Sequence, residues 1–287
     1  MALKINKQRI DEKLRLPELN DIVPATIDTC SWMIYGRKRI GKTSLASRFP
    51  NSVIFSFENA SQRISALQCI CPSWERYLDY LKLYDKEKSS GKSIPKIAII
   101  DTGFEAYLRC EEYVCKINNV DHTSDDGKLH IWERIRKVFR EGHLRLVELG
   151  MSLIVICHDQ EIEQTTRSGQ KFNAVIPKLG KIADDYYRAV IENVVYYHYR
   201  DKARWMTLRG SDYIMAGVIG DEDAPFFMTS DNNPIYAVPA SKSAKEAFNN
   251  LEKAFNCEQL KSYEDETELY EESEVKKSII KKALGKK

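Results

Sequence analysis

Long apolar runs are missing from this chain. No stretch approaches the roughly 20 residues that a membrane-spanning helix needs. The opening residues, Met1-Ala2-Leu3-Lys4-Ile5-Asn6-Lys7, lack the apolar segment and small-residue cleavage site of a secretory signal, so a cytoplasmic location is expected. Cysteine is scattered and odd in number, at seven, which suits a reducing compartment. Neither Cys69-Ile70-Cys71 nor Cys110 with Cys115 has a second pair at zinc-site distance, and their apolar neighbours mark them as buried or half-buried thiols. Histidine is scarce, with five dispersed copies. Charge of one sign is also lacking: the net value of +2 neither argues for nucleic acid nor excludes it, because local patches decide that question. There is no internal repeat. What remains, with 43% hydrophobic and 30% charged residues, is the composition of a globular protein. A length of 287 residues gives room for one large α/β domain with additions or for two small domains.

Within that ordinary composition one string stands out. Gly36-Arg37-Lys38-Arg39-Ile40-Gly41-Lys42-Thr43 spells G-x-x-x-x-G-K-[ST], the phosphate-binding loop of nucleoside triphosphatases. Its glycines let the backbone turn tightly and aim N–H groups at phosphate oxygens. Lys42 places a cation near the β- and γ-phosphates, the Thr43 hydroxyl is a Mg²⁺ ligand, and Ser44 follows at the start of a helix whose N-terminus favours anions. The apolar run 31–35 before the loop reads as a strand and residues 44–48 after it as a helix, which is the context the motif requires.

Three more strands are expected at 51–57, 96–100 and 151–157, each a near-continuous apolar run of the kind buried on both faces of a parallel sheet. Apolar residues at helical spacing predict helices over 74–84, 104–117 and 129–149. The alternation predicts an α/β fold, a parallel sheet flanked by helices. Residues 86–95 and 121–126 read as exposed loops, and 161–173, with Ser168-Gly169 at its middle, as a hairpin or mobile loop. Later strands are expected at 193–199 and 203–208. Residues 1–28 read as an N-terminal extension, 29–257 as the core, and 258–287 as a charged tail, acidic over 263–274 and basic over 276–282.

A phosphate loop needs a carboxylate for Mg²⁺ at the end of a neighbouring strand, where open α/β sheets bind their ligands. Asp101, directly after the strand 96–100, is that candidate. Thr102 rather than a glutamate follows it, so the general base must come from elsewhere. Glu58, at the end of the strand 51–57, is the candidate. The strand 151–157 runs into His158-Asp159-Gln160, and either His158 or Gln160 is placed to sense the γ-phosphate and relay its loss to the loop that follows. That loop carries Arg167 and Lys171, with Lys178 and Lys181 just beyond, cations able to follow a phosphodiester backbone, and Phe172, able to stack on a base.

The ordered set of phosphate loop, strand ending in Glu58, Ile99-Ile100-Asp101-Thr102, and strand ending in His158-Asp159-Gln160 resembles the RecA-like ATPases, in particular phage-encoded single-strand annealing and recombination ATPases. The likeness spans about residues 30–210. It implies a RecA-like sheet, ATP and Mg²⁺ as ligands, Glu58 as base, and a polar sensor preceding a DNA-binding loop. It further implies single-stranded DNA as partner, a single-strand-binding or annealing protein alongside, a homo-oligomeric ring or filament with ATP between subunits, and residence in the host cytoplasm. Lys202, Arg204 and Arg209 are its candidates for a cation acting across subunits. The basic triplet Arg37-Lys38-Arg39 departs from the family pattern. An AAA+-type helicase loader or remodeller, a P-loop small-molecule kinase, and a nucleotide-gated switch with little hydrolysis are the competing readings.

Overall fold

The computed structural model describes residues 25–58, 64–125, 130–166, 169–200, 203–219, 226–240 and 243–258. The strands are Trp32–Tyr35 (β1), Ser52–Ser56 (β2), Leu67–Ile70 (β3), Ile97–Asp101 (β4), Ser152–Cys157 (β5), Asp159–Thr165 (β6), Lys171–Pro177 (β7), Asn193–Arg200 (β8), Ala203–Thr207 (β9) and Ala237–Pro239 (β10). The helices are Lys42–Ala46 (α1), Trp74–Ser89 (α2), Gly103–Ile117 (α3), Ile131–Glu148 (α4), Lys181–Val190 (α5) and Ala244–Phe255 (α6).

Eight strands form one sheet in the order β10-β9-β8-β1-β5-β4-β2-β3, and β6 pairs with β7 in a separate ribbon. From β3 to β8 every pairing is parallel, and β9 and β10 add an antiparallel edge. This is the expected α/β architecture, a RecA-like, mainly parallel sheet with helices on both faces. Strand alternation sends Met33, Tyr35, Phe55, Ile100 and Val155 into a core shared with α2 to α5. Their neighbours Trp32, Ile34, Ile54, Ile99 and Ile154 enter a second core beneath α1 and α6. Both faces are therefore dry, which is why these strands read as continuous apolar runs rather than alternating ones.

Several boundaries differ from expectation. α2 runs on through Lys86, Glu87 and Lys88, where polar composition suggests a loop; these are good helix formers, the Lys88 ammonium donates to the Glu148 and Leu149 carbonyls at 3.2 and 2.7 Å, and the chain turns only at Gly91, φ 80°. α1 begins at Lys42 and ends at Ala46, two residues earlier than the expected 44–48 and of the same length. Within 121–126 the chain makes one 3₁₀ turn, Thr123–Asp125. The segment 161–173 is part of a hairpin, β6 and β7, with Gly169 at φ 84° near its tip. β3, α5, β10 and α6 have no counterpart among the expected elements. Most of the N-terminal extension and nearly all of the charged tail lie outside the described residues.

Candidate nucleotide-binding site

The parallel register brings the ends of four strands together. β1 ends opposite β5 with Tyr35 paired to Cys157, β5 meets β4 with Ile156 beside Asp101, and β4 meets β2 with Asp101 beside Ser56. β5 thus separates the phosphate-loop strand from the Asp101 strand, leaving a crevice above it between the two.

The phosphate loop crosses one side of that crevice. Gly36 has φ 149°, and a Cβ there would lie 2.0 Å from the carbonyl oxygen of Tyr197 on β8, so no side chain fits. Gly41 caps α1 at φ 112°. Between them Arg37, Lys38 and Arg39 are exposed, Ile40 is buried in the second core, and Ser44 is half-buried. Lys42 is 5% exposed, and its ammonium donates to the carbonyls of Gly36 at 2.7 Å and Arg37 at 2.8 Å. Burial lowers its pKa to about 8.

Across the crevice, the Thr43 hydroxyl donates to Asp101 Oδ2 at 3.3 Å. Asp101 is 4% exposed, and burial, then the negative field of Glu58, raises its pKa to about 6. Both shifts point the same way. A buried ammonium and a buried carboxylate are each short of opposite charge, and an anion at Lys42 with a cation at Asp101 would return both towards their ordinary values. A threonine hydroxyl beside a carboxylate is an oxygen donor set of the kind that Mg²⁺ takes.

Glu58 stands beyond the end of β2, half-buried. Its Oε1 accepts from the Thr102 hydroxyl at 3.1 Å and lies 3.4 Å from His158 Nε2. The His158 contact is the largest of the causes that hold its carboxyl below the usual range. His158 Nδ1 in turn lies 3.5 Å from Lys42 Nζ. One imidazole therefore spans the gap between the phosphate-loop lysine and the candidate base. Lys38, Lys42, Thr43, Glu58, Asp101 and His158 all line one cleft of about 740 Å³.

Gln160 is elsewhere. Its amide donates to the Pro177 carbonyl at 3.4 Å, at the base of the β6–β7 hairpin and outside the cleft lining. The candidate DNA-contacting cations are also dispersed. Lys171 pairs with Glu163 at 2.7 Å, Lys178 sits 5.1 Å over the Phe104 ring, Lys181 is an exposed first residue of α5, and Phe172 packs edge-on against Tyr213 at 5.5 Å. Arg167 and Lys202 lie outside the described residues. Arg209 Nη2 points to Met228 Sδ at 3.9 Å. Arg204, a candidate for acting on another subunit, touches its own phosphate loop and donates to the Ile40 carbonyl at 3.3 Å.

Two contributors had no role from sequence. Thr102 caps α3 and also donates to Glu58, and Arg109 lines the cleft from two turns into α3, held by Glu112 at 2.9 Å and Glu105 at 3.7 Å. Thr102 is legible as the non-acidic neighbour of Asp101 and as the small hydroxyl residue of the motif Asp101-Thr102, but not as a partner of Glu58. Arg109 carries no sequence signal.

Fold and site together define a P-loop nucleoside triphosphatase. Residues 29–217 match the AAA domain family, and the chain belongs to it. Nucleotide binding and ATPase chemistry follow from that membership and from the phosphate loop. No curated protein matches the chain. Among 122 matching chains of solved structures, a KaiC-like protein from the hyperthermophilic archaeon Pyrococcus horikoshii OT3 is 14% identical, with a TM-score of 0.37, covering 68% of this chain and 84% of that one. Among the described residues no helix is long and apolar enough to cross a membrane.

Proposed function

We propose that this chain is a Mg²⁺-dependent ATPase of the RecA-like kind that acts on single-stranded DNA, in phage recombination, annealing or replication. The observation that carries the enzymatic part is the pair of carboxylates on adjacent strand ends. Asp101 is tied to Thr43 and Glu58 is not, so the two have different work.

Thr43 and Asp101 would hold Mg²⁺, which when bound neutralises charge on the β- and γ-phosphates. Lys42 exchanges its two carbonyl acceptors for phosphate oxygens. The backbone N–H groups of the loop and of the α1 N-terminus surround the same phosphates. Glu58, kept ionised, accepts a hydrogen bond from the attacking water and takes its proton. His158 positions Glu58 and lies close enough to Lys42 to register whether a γ-phosphate is present. β6 begins at the next residue, which couples that register to the hairpin. The single-strand part rests on the resemblance of the ordered motifs, as do the homo-oligomer and a single-strand-binding or annealing partner.

Steady-state ATP turnover measured without nucleic acid, with single-stranded DNA and with duplex DNA tests the reading. Strong stimulation by single strands, abolished by Lys42→Ala and by chelation of divalent cations, is the expected result. Turnover indifferent to every nucleic acid would move the assignment to a protein-directed loader or a switch.

A further inference from the structure

The cleft draws its cations from two elements. Lys38, Arg39 and Lys42 enter it from the phosphate loop, and Arg109 enters it from α3, the helix that follows Asp101. A short chain of contacts fixes where Arg109 stands. The Thr102 hydroxyl donates to Glu58 and accepts from the Glu105 N–H at 3.4 Å, and Glu105 Oε2 lies 3.7 Å from Arg109 Nη2, one turn further on. A helical side chain leans back over the turn before its own Cα, so the Arg109 guanidinium is carried towards Thr102 and Glu58 rather than away from them.

Two features mark this guanidinium as incompletely used. Its Nε is buried and, among the described residues, has no hydrogen-bond partner. A buried donor left unpaired is costly, and an acceptor brought into the cleft removes that cost. Its Nη1 donates to both oxygens of Glu112 at 2.9 Å, but that carboxylate is 62% exposed, and an ion pair at the solvent edge adds little. A phosphate offers the same planar fork two oxygens and more charge. The need for such a cation is local. Glu58 and Glu105 both line the cleft, so a γ-phosphate that approaches Glu58 meets two carboxylates, and Arg109 offsets them from the same helix.

We infer that Arg109 reads the γ-phosphate: in a triphosphate-filled cleft its guanidinium leaves Glu112 and donates to γ-phosphate oxygens, so that the site discriminates ATP from ADP. This rests on the ATPase reading of the preceding section and adds a specificity residue to it. Glu112 is then the acceptor that holds the arginine while the cleft carries a diphosphate or no nucleotide. The swing gives Nε and Nη1 one acceptor group between them, and the contact comes from within the chain, with no neighbouring subunit needed to supply it.

The test is isothermal titration calorimetry of the full chain with the non-hydrolysable analogue AMP-PNP and with ADP, each with Mg²⁺. Arg109→Ala is expected to weaken AMP-PNP binding about tenfold and ADP binding less than about twofold, because the lost charge-assisted bond is made to the γ-phosphate alone. Retained ADP affinity shows that the fold and the phosphate loop are intact. Arg109→Lys, which keeps the charge but not the fork, should recover part of the loss. Glu112→Gln releases the guanidinium and should tighten AMP-PNP binding about twofold or more, with ADP binding unchanged. Parent-like AMP-PNP affinity in Arg109→Ala, or equal losses for both nucleotides, would overturn the assignment and leave the ATPase reading standing. AMP-PNP affinity in Glu112→Gln no better than the parent's would defeat the exchange with Glu112. A parent protein that binds neither nucleotide would remove the ATPase reading itself, and this inference with it.

Discussion

At the scale of single residues, the site turns on a division of labour between two carboxylates that the sequence suggests by position and the structure separates by partner. Asp101 is buried and tied to the hydroxyl of Thr43, whereas Glu58 is half-buried and held by Thr102 and His158. Only Glu58 is free of the metal-binding hydroxyl, so only Glu58 is available to water. Glu58→Gln preserves the shape and both contacts but removes the base. It should bind ATP with parent affinity and lose hydrolysis by about 10²- to 10⁴-fold, the range expected for removing a general base. Equilibrium binding of a fluorescent ATP analogue beside single-turnover hydrolysis reads the two separately. Parent-rate hydrolysis in this variant would place the base elsewhere. The choice between His158 and Gln160 could not be made from sequence, because both follow the same apolar run. The structure separates them because β5 ends at Cys157: the first residue beyond the strand faces the crevice, while Gln160 is already in the ladder of the next ribbon.

At the scale of elements, legibility follows burial. β1, β2, β4 and β5 lie in the interior of the sheet with both faces covered, and each was visible as an apolar run. β3 is an edge strand that buries only Cys69, leaving Leu67 63% exposed, so its sequence carries no period. α6 is not among the helices expected from sequence, yet Ser243 and Glu246 have capping-box spacing, and the Ser243 side chain does accept from the Glu246 N–H at 3.2 Å. Its apolar stripe, Ala247, Phe248, Leu251, Ala254 and Phe255, has the helical period. The packing of α4 on α2 depends on a detail that no pattern shows. Gly142 sits mid-helix, where glycine costs about 1 kcal/mol relative to alanine. A Cβ there would lie 2.5 Å from Trp74 Cζ2, and Trp74 is fully buried among Phe57, Tyr77 and Phe139. The close approach outweighs propensity, because a ring locked by its neighbours cannot retreat. Gly142→Ala should therefore destabilise the fold by about 1–3 kcal/mol, the usual cost of overpacking, rather than stabilise it. Urea unfolding at neutral pH measures the sign, and a rise in the midpoint would show that α4 can slide.

At the scale of the whole molecule, the larger core is joined by a buried polar pair rather than by apolar contact alone. His143 of α4 lies where α2, α4 and α5 meet. Its Nδ1 contacts the Phe139 carbonyl at 2.9 Å, and its Nε2 lies 2.9 Å from the Tyr187 hydroxyl. The ring packs against Trp74, Tyr77, Phe139, Tyr186 and Tyr187. The donor count fixes its state: Nδ1 donates to the carbonyl, Nε2 accepts from the tyrosine, and the imidazole is neutral and fully used. Burial, the first cause, lowers its pKa from 6.5 to about 4. In the unfolded chain the ring takes up a proton as pH falls through 6.5, while the folded ring stays neutral down to about 4. Protonation over that window therefore favours the unfolded state. Stability contributed by this residue is whole above pH 6.5, falls between pH 6.5 and about 4, and is level below that. The full loss is up to about 3 kcal/mol, taking 1.36 kcal/mol per pKa unit. His143→Gln gives up ring packing and lowers stability at every pH, but it has no proton to gain. The difference in unfolding free energy between pH 7 and pH 4.5, from urea titrations, should accordingly be smaller in the variant than in the parent. Equal differences would mean that the acid sensitivity of this fold comes from its carboxylates and that His143 is protonated within the core.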